Sequence, residues 1–281
     1  MSRKVKKSVI FTMLAFCLMA TGVFAQEANE GAVGSIITDR PTQTYSSFVV
    51  PKGAFQIESG IGYSRAAFSN SIANVVNLPE DYASENFTLN FLQLRYGLSD
   101  NVELRLAQNV YFNRIKFDGD VINRSDVQFA STWIGAKFNI LNEDGFVPQT
   151  SFLAEYVTDV FDEDMGQDLL NLRLNFSNTL SEKLTLGYGL GGFVPTKNGP
   201  FYLEYSVVGS YAFQPNWGAF LELFGTLRND WVNTHNVDMG ITYLVNNNLQ
   251  LDAYTGFDLT NNLGEIDFIF GLGFSTRILK K

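Results

Sequence analysis

From Ala54 onward, apolar residues recur at every second position of the chain. Phe55, Ile57, Ile61 and Tyr63 alternate with Gln56, Glu58, Gly60 and Gly62. Leu104 and Leu106 alternate with Glu103 and Arg105. Leu170, Leu172, Leu174 and Phe176 alternate with Asn171, Arg173 and Asn175, and Val237, Met239, Ile241 and Tyr243 with Asp238, Gly240 and Thr242. A period of two predicts strands with one apolar and one polar face. Twelve such segments begin near residues 54, 87, 102, 127, 149, 169, 184, 201, 217, 236, 249 and 266. Most run about 10 to 13 residues, where soluble strands average about 5 to 6. A tilted membrane-spanning strand needs about 9 to 11.

The connections alternate in length. Leu98-Ser99-Asp100-Asn101, Ser181-Glu182-Lys183, Gln214-Pro215-Asn216 and Asn246-Asn247-Asn248 are tight polar turns, and Asn142-Glu143-Asp144-Gly145 is slightly longer. Between them fall longer connections at 65–86, 113–126, 158–168, 195–200, 229–235 and 259–265. Short periplasmic turns and long external loops are the layout of an outer-membrane barrel. The expected fold is all-β: a transmembrane antiparallel up-and-down β-barrel of about twelve strands over residues 54–278. Its lumen would carry Glu58, Arg95, Glu103, Arg105, Lys137, Arg173, Glu204, Asp238 and Asp252. A sandwich core does not bury so many charges. A soluble sheet protein explains the alternation, but not strand length, abundant aromatics and leader together.

The leader is residues 1–25. Arg3, Lys4, Lys6 and Lys7 precede an uncharged, mostly apolar stretch from Val9 to Val23, and Val23-Phe24-Ala25 ends it. That is the layout of a secretory signal peptide with cleavage after Ala25; the alternative is an uncleaved anchoring helix, for which the apolar run is short. Its loss removes four basic residues and no acidic ones, so the net charge moves from −9 to −13. Such a charge argues against nucleic-acid partners. Cys17 is the single cysteine and leaves with the leader, so the mature chain builds no disulfide and no thiolate metal site. Residues 26–53 contain Pro41 and Pro51 and hold no sustained period. They read as a periplasmic extension or as a plug in the lumen. Residues 279–281 are a short tail.

Candidate chemistry is sparse. Gly187, Gly189 and Gly192 match the letters of a dinucleotide fingerprint, but they lie in a strand pattern with no helix to follow. His235 is the single histidine, in a stretch read as loop, and no assignable serine nucleophile accompanies it. No catalytic residue and no cofactor is assigned. Asp159, Asp162, Glu163, Asp164 and Asp168 could bind a divalent cation through oxygen ligands, or form a solvated loop. Arg95, Glu103, Arg105, Lys137 and Asp252 fall towards the periplasmic strand ends. They read either as a charge-selecting ring or as a salt-bridged closure of a narrow lumen.

Several pieces together resemble the "MetA-pathway of phenol degradation" family of outer-membrane barrels. They are Ile37-Thr38-Asp39-Arg40-Pro41, Val50-Pro51-Lys52-Gly53-Ala54-Phe55-Gln56-Ile57-Glu58, the hairpin Leu94 to Arg105, Ile134-Gly135-Ala136-Lys137-Phe138, Leu249-Gln250-Leu251-Asp252 and Gly271-Leu272-Gly273-Phe274-Ser275. The resemblance spans Ile37 to Arg277 and departs from the family at the end, where Ile278-Leu279-Lys280-Lys281 lacks a terminal aromatic. It implies movement of small hydrophobic molecules across the outer membrane. Outer-membrane lipid, lipopolysaccharide and the barrel-assembly machinery would be the partners. A structural or surface-interaction barrel without transport is the alternative reading, followed by a barrel lipid hydrolase.

Overall fold

The computed structural model describes residues 34–67, 82–161, 168–197, 199–228, 233–260 and 268–279. The expected leader, residues 26–33 and the last two residues of the tail lie outside this set.

Thirteen strands follow one another among the described residues. They are β1 (Phe55–Ala67), β2 (Tyr82–Ser99), β3 (Val102–Phe117), β4 (Asp120–Arg124), β5 (Gln128–Leu141), β6 (Gln149–Thr158) and β7 (Leu169–Thr179). After them come β8 (Leu184–Pro195), β9 (Tyr202–Gln214), β10 (Trp217–Arg228), β11 (Thr234–Asn246), β12 (Leu249–Asp258) and β13 (Phe268–Ile278). All pairings are antiparallel between neighbours along the chain, except that β3 pairs with β5 past the short β4. The β1–β13 pairing, with Gln56 opposite Arg277 and Gly60 opposite Gly273, closes the sheet on itself. The result is a twelve-stranded up-and-down barrel, with β4 attached to β3 alone at the rim. Closure pairs the twelve barrel strands on both edges, as a hydrocarbon environment without water demands.

The strands reach further into the connections than the alternation alone indicates. β2 starts at Tyr82 rather than near 87, and β11 at Thr234 rather than 236. The stretch 113–126, expected to be an irregular loop, is mostly hairpin. β3 continues to Phe117, turns at Asp118-Gly119 and returns as β4. Both turn residues have positive φ, 48° and 81°, the geometry of a type I′ turn. Asp-Gly is that turn's sequence signature.

Side-chain burial is inverted relative to a water-soluble protein. On β3, Glu103 and Arg105 are 0% and 4% exposed, while Leu104 and Leu106 are 44% and 39% exposed. Ile61, Ile134, Leu190, Leu221, Met239 and Phe270 likewise face outward. Ile134 lies midway along β5 on this outer face. Replacing it with Arg should therefore cost about 2–4 kcal/mol in a bilayer. Urea unfolding in lipid vesicles measures this. An unchanged midpoint for Ile134→Arg would mean that the face does not meet hydrocarbon.

Candidate functional site

Residues 34–54 form no strand of their own. Their backbone N–H groups therefore need partners other than a ladder; Ser46 and Phe48 find them on side chains within the segment, and others look outside it. Carboxylates on the inner barrel wall supply them. Glu58 on β1 accepts from the N–H groups of Asp39 at 3.1 Å and Arg40 at 2.9 Å. Glu222 on β10 accepts from Gln43 at 2.7 Å and Thr44 at 2.6 Å. Glu103 on β3 accepts from Val50 at 2.8 Å. The Ser47 hydroxyl meets that of Ser177 on β7 at 2.7 Å. Contacts on strands all round the ring place the segment inside the lumen as a plug.

Inward glycines make room for it. A β-carbon on Gly273 would lie 2.1 Å from the Arg40 guanidinium, and one on Gly60 would lie 2.7 Å from it. A β-carbon on Gly97 would lie 2.1 Å from the Pro51 carbonyl oxygen. These strand glycines mark a close approach of the plug, by its backbone at Gly97 and by the Arg40 side chain at Gly60 and Gly273.

Asp39 is the centre of the arrangement. Its Oδ2 accepts from Arg105 Nη1 at 2.7 Å and from Gln93 Nε2 at 3.0 Å, and its Oδ1 accepts from Lys137 Nζ at 3.0 Å. Arg95 Nη1 stands 3.6 Å away. The wall residues are cross-linked in turn. Glu103 Oε1 takes Arg95 Nε at 2.8 Å and Arg105 Nη1 at 2.7 Å. Glu58 takes Arg95 Nη1, and Glu155 takes Arg105 Nε, each at 2.8 Å. Burial alone would raise the pKa of Asp39. The charges of Arg95, Lys137 and Arg105 outweigh it and hold the carboxyl well below the usual aspartate range.

Four of the residues singled out from the sequence, Arg95, Glu103, Arg105 and Lys137, thus meet around a fifth, Asp39, that was not singled out for chemistry. Asp252 is not part of that knot. It pairs with Arg40 of the plug at 2.8 Å, and Arg40 lies near the rings of Phe91 and Tyr254. The Asp-Arg of the Asp39-Arg40-Pro41 motif is therefore two adjacent charges binding two separate parts of the wall.

The remaining candidates fall elsewhere. Asp162, Glu163 and Asp164 lie outside the described residues. Asp159 follows β6, and Asp168 accepts a hydrogen bond from Thr158 at 2.6 Å. Among the described residues no group of three or more His, Cys, Asp or Glu is placed to hold a metal ion. His235 belongs to β11 rather than to a loop, because the strand begins at Thr234. Its Nδ1 meets the Tyr205 hydroxyl at 2.5 Å across Gly225 of the intervening strand. Gly187, Gly189 and Gly192 lie within β8.

Beyond the plug, towards the long-loop end, lies a cavity of about 200 Å³. Its floor includes Gln43 and Tyr45 of the plug, and its wall includes Trp133, Phe193 and Phe224. Trp133 stands edge-on to Phe193 at 5.5 Å. Arg173 lies 5.3 Å from the Tyr45 ring centre and reaches Glu204 at 3.3 Å. Its buried Nε has no hydrogen-bond partner, and neither has Oδ1 of Asn171, which also lines the cavity. The alternation concealed this chamber, because Trp133, Phe193 and Phe224 are aromatics at inward positions. A phase count along β5, β8 and β10 would have found them.

Removing Asp39 leaves Arg105 and Lys137 facing each other's charge in a buried site. Breaking one partner out of such a set costs about 3–5 kcal/mol. Asp39→Ala should therefore release the plug to protease cleavage in the folded barrel. Because the folded-state pKa of Asp39 is depressed, its contribution is fully present above the ordinary aspartate range and fades as pH falls through the depressed value. Plug protection in the native protein should accordingly persist through mildly acidic buffer. Equal cleavage of Asp39→Ala and the parent at neutral pH would contradict this role.

A family model described as "Putative MetA-pathway of phenol degradation" matches residues 38–278. Among solved structures, the COG4313 outer membrane channel from Pseudomonas putida F1 is similar at 14% identity, with a TM-score of 0.67, over 85% of this chain and 100% of that one. The KdgM porin aligns at 9% identity, with a TM-score of 0.47, over 78% of this chain and 98% of that one. No match to the chain was found among the curated proteins.

Proposed function

The chain belongs to the MetA-pathway of phenol degradation family, and from that premise we propose that it is an outer-membrane channel for small hydrophobic or amphipathic molecules. The observation that carries this reading is the chamber above Tyr45. Its aromatic wall offers apolar faces to a solute body, and the bare Arg173 Nε and Asn171 Oδ1 offer hydrogen bonds to a polar end. Glu204, Thr226 and Asn236 complete a lining in which polar groups are as prominent as the rings, which suits an amphipathic guest with one apolar part; convergent polar groups beside apolar walls are what fix a small molecule's orientation. The structural likeness to the Pseudomonas putida channel supports the barrel beneath the reading.

The plug sets the terms of passage. Glu58, Glu103, Lys137 and Asp238 are 0% exposed, so the inner half of the barrel is closed to water in this state. A solute resting in the chamber crosses after the plug shifts or leaves sideways between strands. Polar solutes have no standing path. The sealed lumen is also the observation that favours the second reading, a barrel that displays its loops and transports nothing.

Reconstitution in liposomes separates the two. The parent protein should pass small aromatic or fatty solutes and exclude sugars, and Trp133→Ala with Phe224→Ala should slow the apolar flux several-fold. Deleting residues 34–50 should admit sugars. Absence of any apolar flux by the parent, alongside sugar flux after deletion, would leave the non-transporting reading standing.

A further inference from the structure

The outer face of β1 to β4 carries a transverse row of charges near the long-loop end. Arg65 is opposite Glu85, Glu85 opposite Arg114, and Arg114 opposite Arg124, so four adjacent strands each place a charged residue in the same row. Lys116 stands two residues further along β3. Glu85 is the centre: Arg114 Nη2 reaches it at 2.6 Å, Lys116 Nζ at 3.1 Å and the Tyr63 hydroxyl at 2.9 Å. One carboxylate thus gathers several cations on a chain whose overall charge is negative. Asp118 and Asp120 lie beyond the row, at the hairpin tip.

Immediately below the charges runs a row of aromatics. Phe270, Tyr63, Phe87 and Phe112 are successive cross-strand partners on β13, β1, β2 and β3. Tyr63 and Phe87 have ring centres 5.1 Å apart, and Phe87 and Phe112 stack at 4.8 Å. The Arg114 guanidinium lies over Phe87 at 4.3 Å, and that of Arg124 over Phe112 at 5.0 Å. The aromatic row occupies the position of the interfacial girdle, and the cations begin where lipid headgroups begin. The spacing agrees. Ten residues separate Leu104 from Arg114, about 33 Å of strand at about 3.3 Å per residue. A tilt of about 40° projects this to about 25 Å, the height of the apolar band.

We propose that Arg65, Arg114, Lys116 and Arg124 form a binding site for the phosphate groups of a glycolipid in the outer leaflet. Arg65 and Arg124 offer forks that match phosphate oxygens bidentately; Arg114, whose Nε and Nη2 already bond Glu85, adds its remaining donors, and the girdle below takes the first carbons of the acyl chains. Phosphate on a lipid, rather than free phosphate, is the occupant because the cations lie on the wall directly above lipid-facing rings. Soluble anions would instead meet the loops or the lumen. The site is independent of what passes through the barrel.

Native mass spectrometry of the full barrel in detergent tests this, with diphosphoryl lipid A as the probe. Dephosphorylated lipid A and inorganic pyrophosphate are the controls. The parent should retain the diphosphoryl lipid and hold the dephosphorylated one at least about tenfold more weakly, equivalent to about 1.4 kcal/mol. Arg114→Gln with Arg124→Gln should lose binding to a similar degree, while Arg114→Lys with Arg124→Lys keeps most of it. Heat-modifiable migration confirms that each variant is folded. Equal retention of the two lipids, unchanged binding by the Gln pair, equal loss in both pairs, or displacement of the lipid by equimolar pyrophosphate would each overturn the assignment.

Discussion

The structure depends on the carboxylate of Asp39 standing among Arg95, Arg105 and Lys137. A barrel whose apolar faces look outward must put its polar faces inward. With the plug seated, the inner half of the lumen leaves little room for water, and its wall charges are buried. Cations on β2, β3 and β5 would then face one another at low dielectric, where repulsion is large. Glu58, Glu103 and Glu155 neutralise part of that charge from the wall itself. Asp39 enters from the plug and completes the set. Wall and plug are therefore one electrostatic unit, although the plug contributes no strand.

This explains why a segment without secondary structure is so well held. Its backbone donors are taken by Glu58, Glu103 and Glu222, and its side chains by Asp252, Ser177 and the Arg95–Arg105–Lys137 group. The directed contacts are polar, with Ile36, Val50 and Ala54 buried beside them. Buried ion pairs add little net stability over a packed apolar contact, because desolvation offsets the attraction. Their strength lies in direction and register. A plug held this way is positioned accurately by its polar contacts, which can re-form with water if the segment shifts.

The barrel was legible because its signal is periodic. A period of two over ten or more residues, with turns such as Asp100-Asn101 and Pro215-Asn216 on one side, specifies strand, face and side of the membrane together. The inward charges followed from the same phase. Their partners did not, because Asp39 and Arg40 lie in a stretch with no period to give either residue a direction. The β3–β4 hairpin was missed although Asp118-Gly119 spells its turn, since the surrounding residues mix polar and apolar on both faces. The chamber was missed for the opposite reason. Trp133, Phe193 and Phe224 are aromatics, a residue type that the lipid face also uses, and only their phase along the strand places them on the inner one. His235 shows the smallest error of this kind: a strand boundary two residues earlier turns a loop residue into the cross-strand partner of Gly225, beside Tyr205.

Along the barrel axis the chemistry changes in order. The periplasmic half is filled by neutralised charge and plug backbone, which excludes both water and apolar solutes. The outer half opens into a chamber with aromatic walls and two unsatisfied polar atoms, which tolerates an apolar guest with one polar end. Outside, at the same height as the outer rim, arginines lie over phenylalanines where headgroups meet acyl chains. Tyr45 is the hinge between the first two zones, since its ring is flanked by Arg105 of the charge knot and Arg173 of the chamber, each 5.3 Å away. A guest that draws Arg173 towards itself takes away one of the two cations holding that ring. On the proposed function, occupancy of the chamber would bear on the seating of the plug through this one aromatic side chain, provided that a guest contacts Arg173 differently in the docked and undocked states.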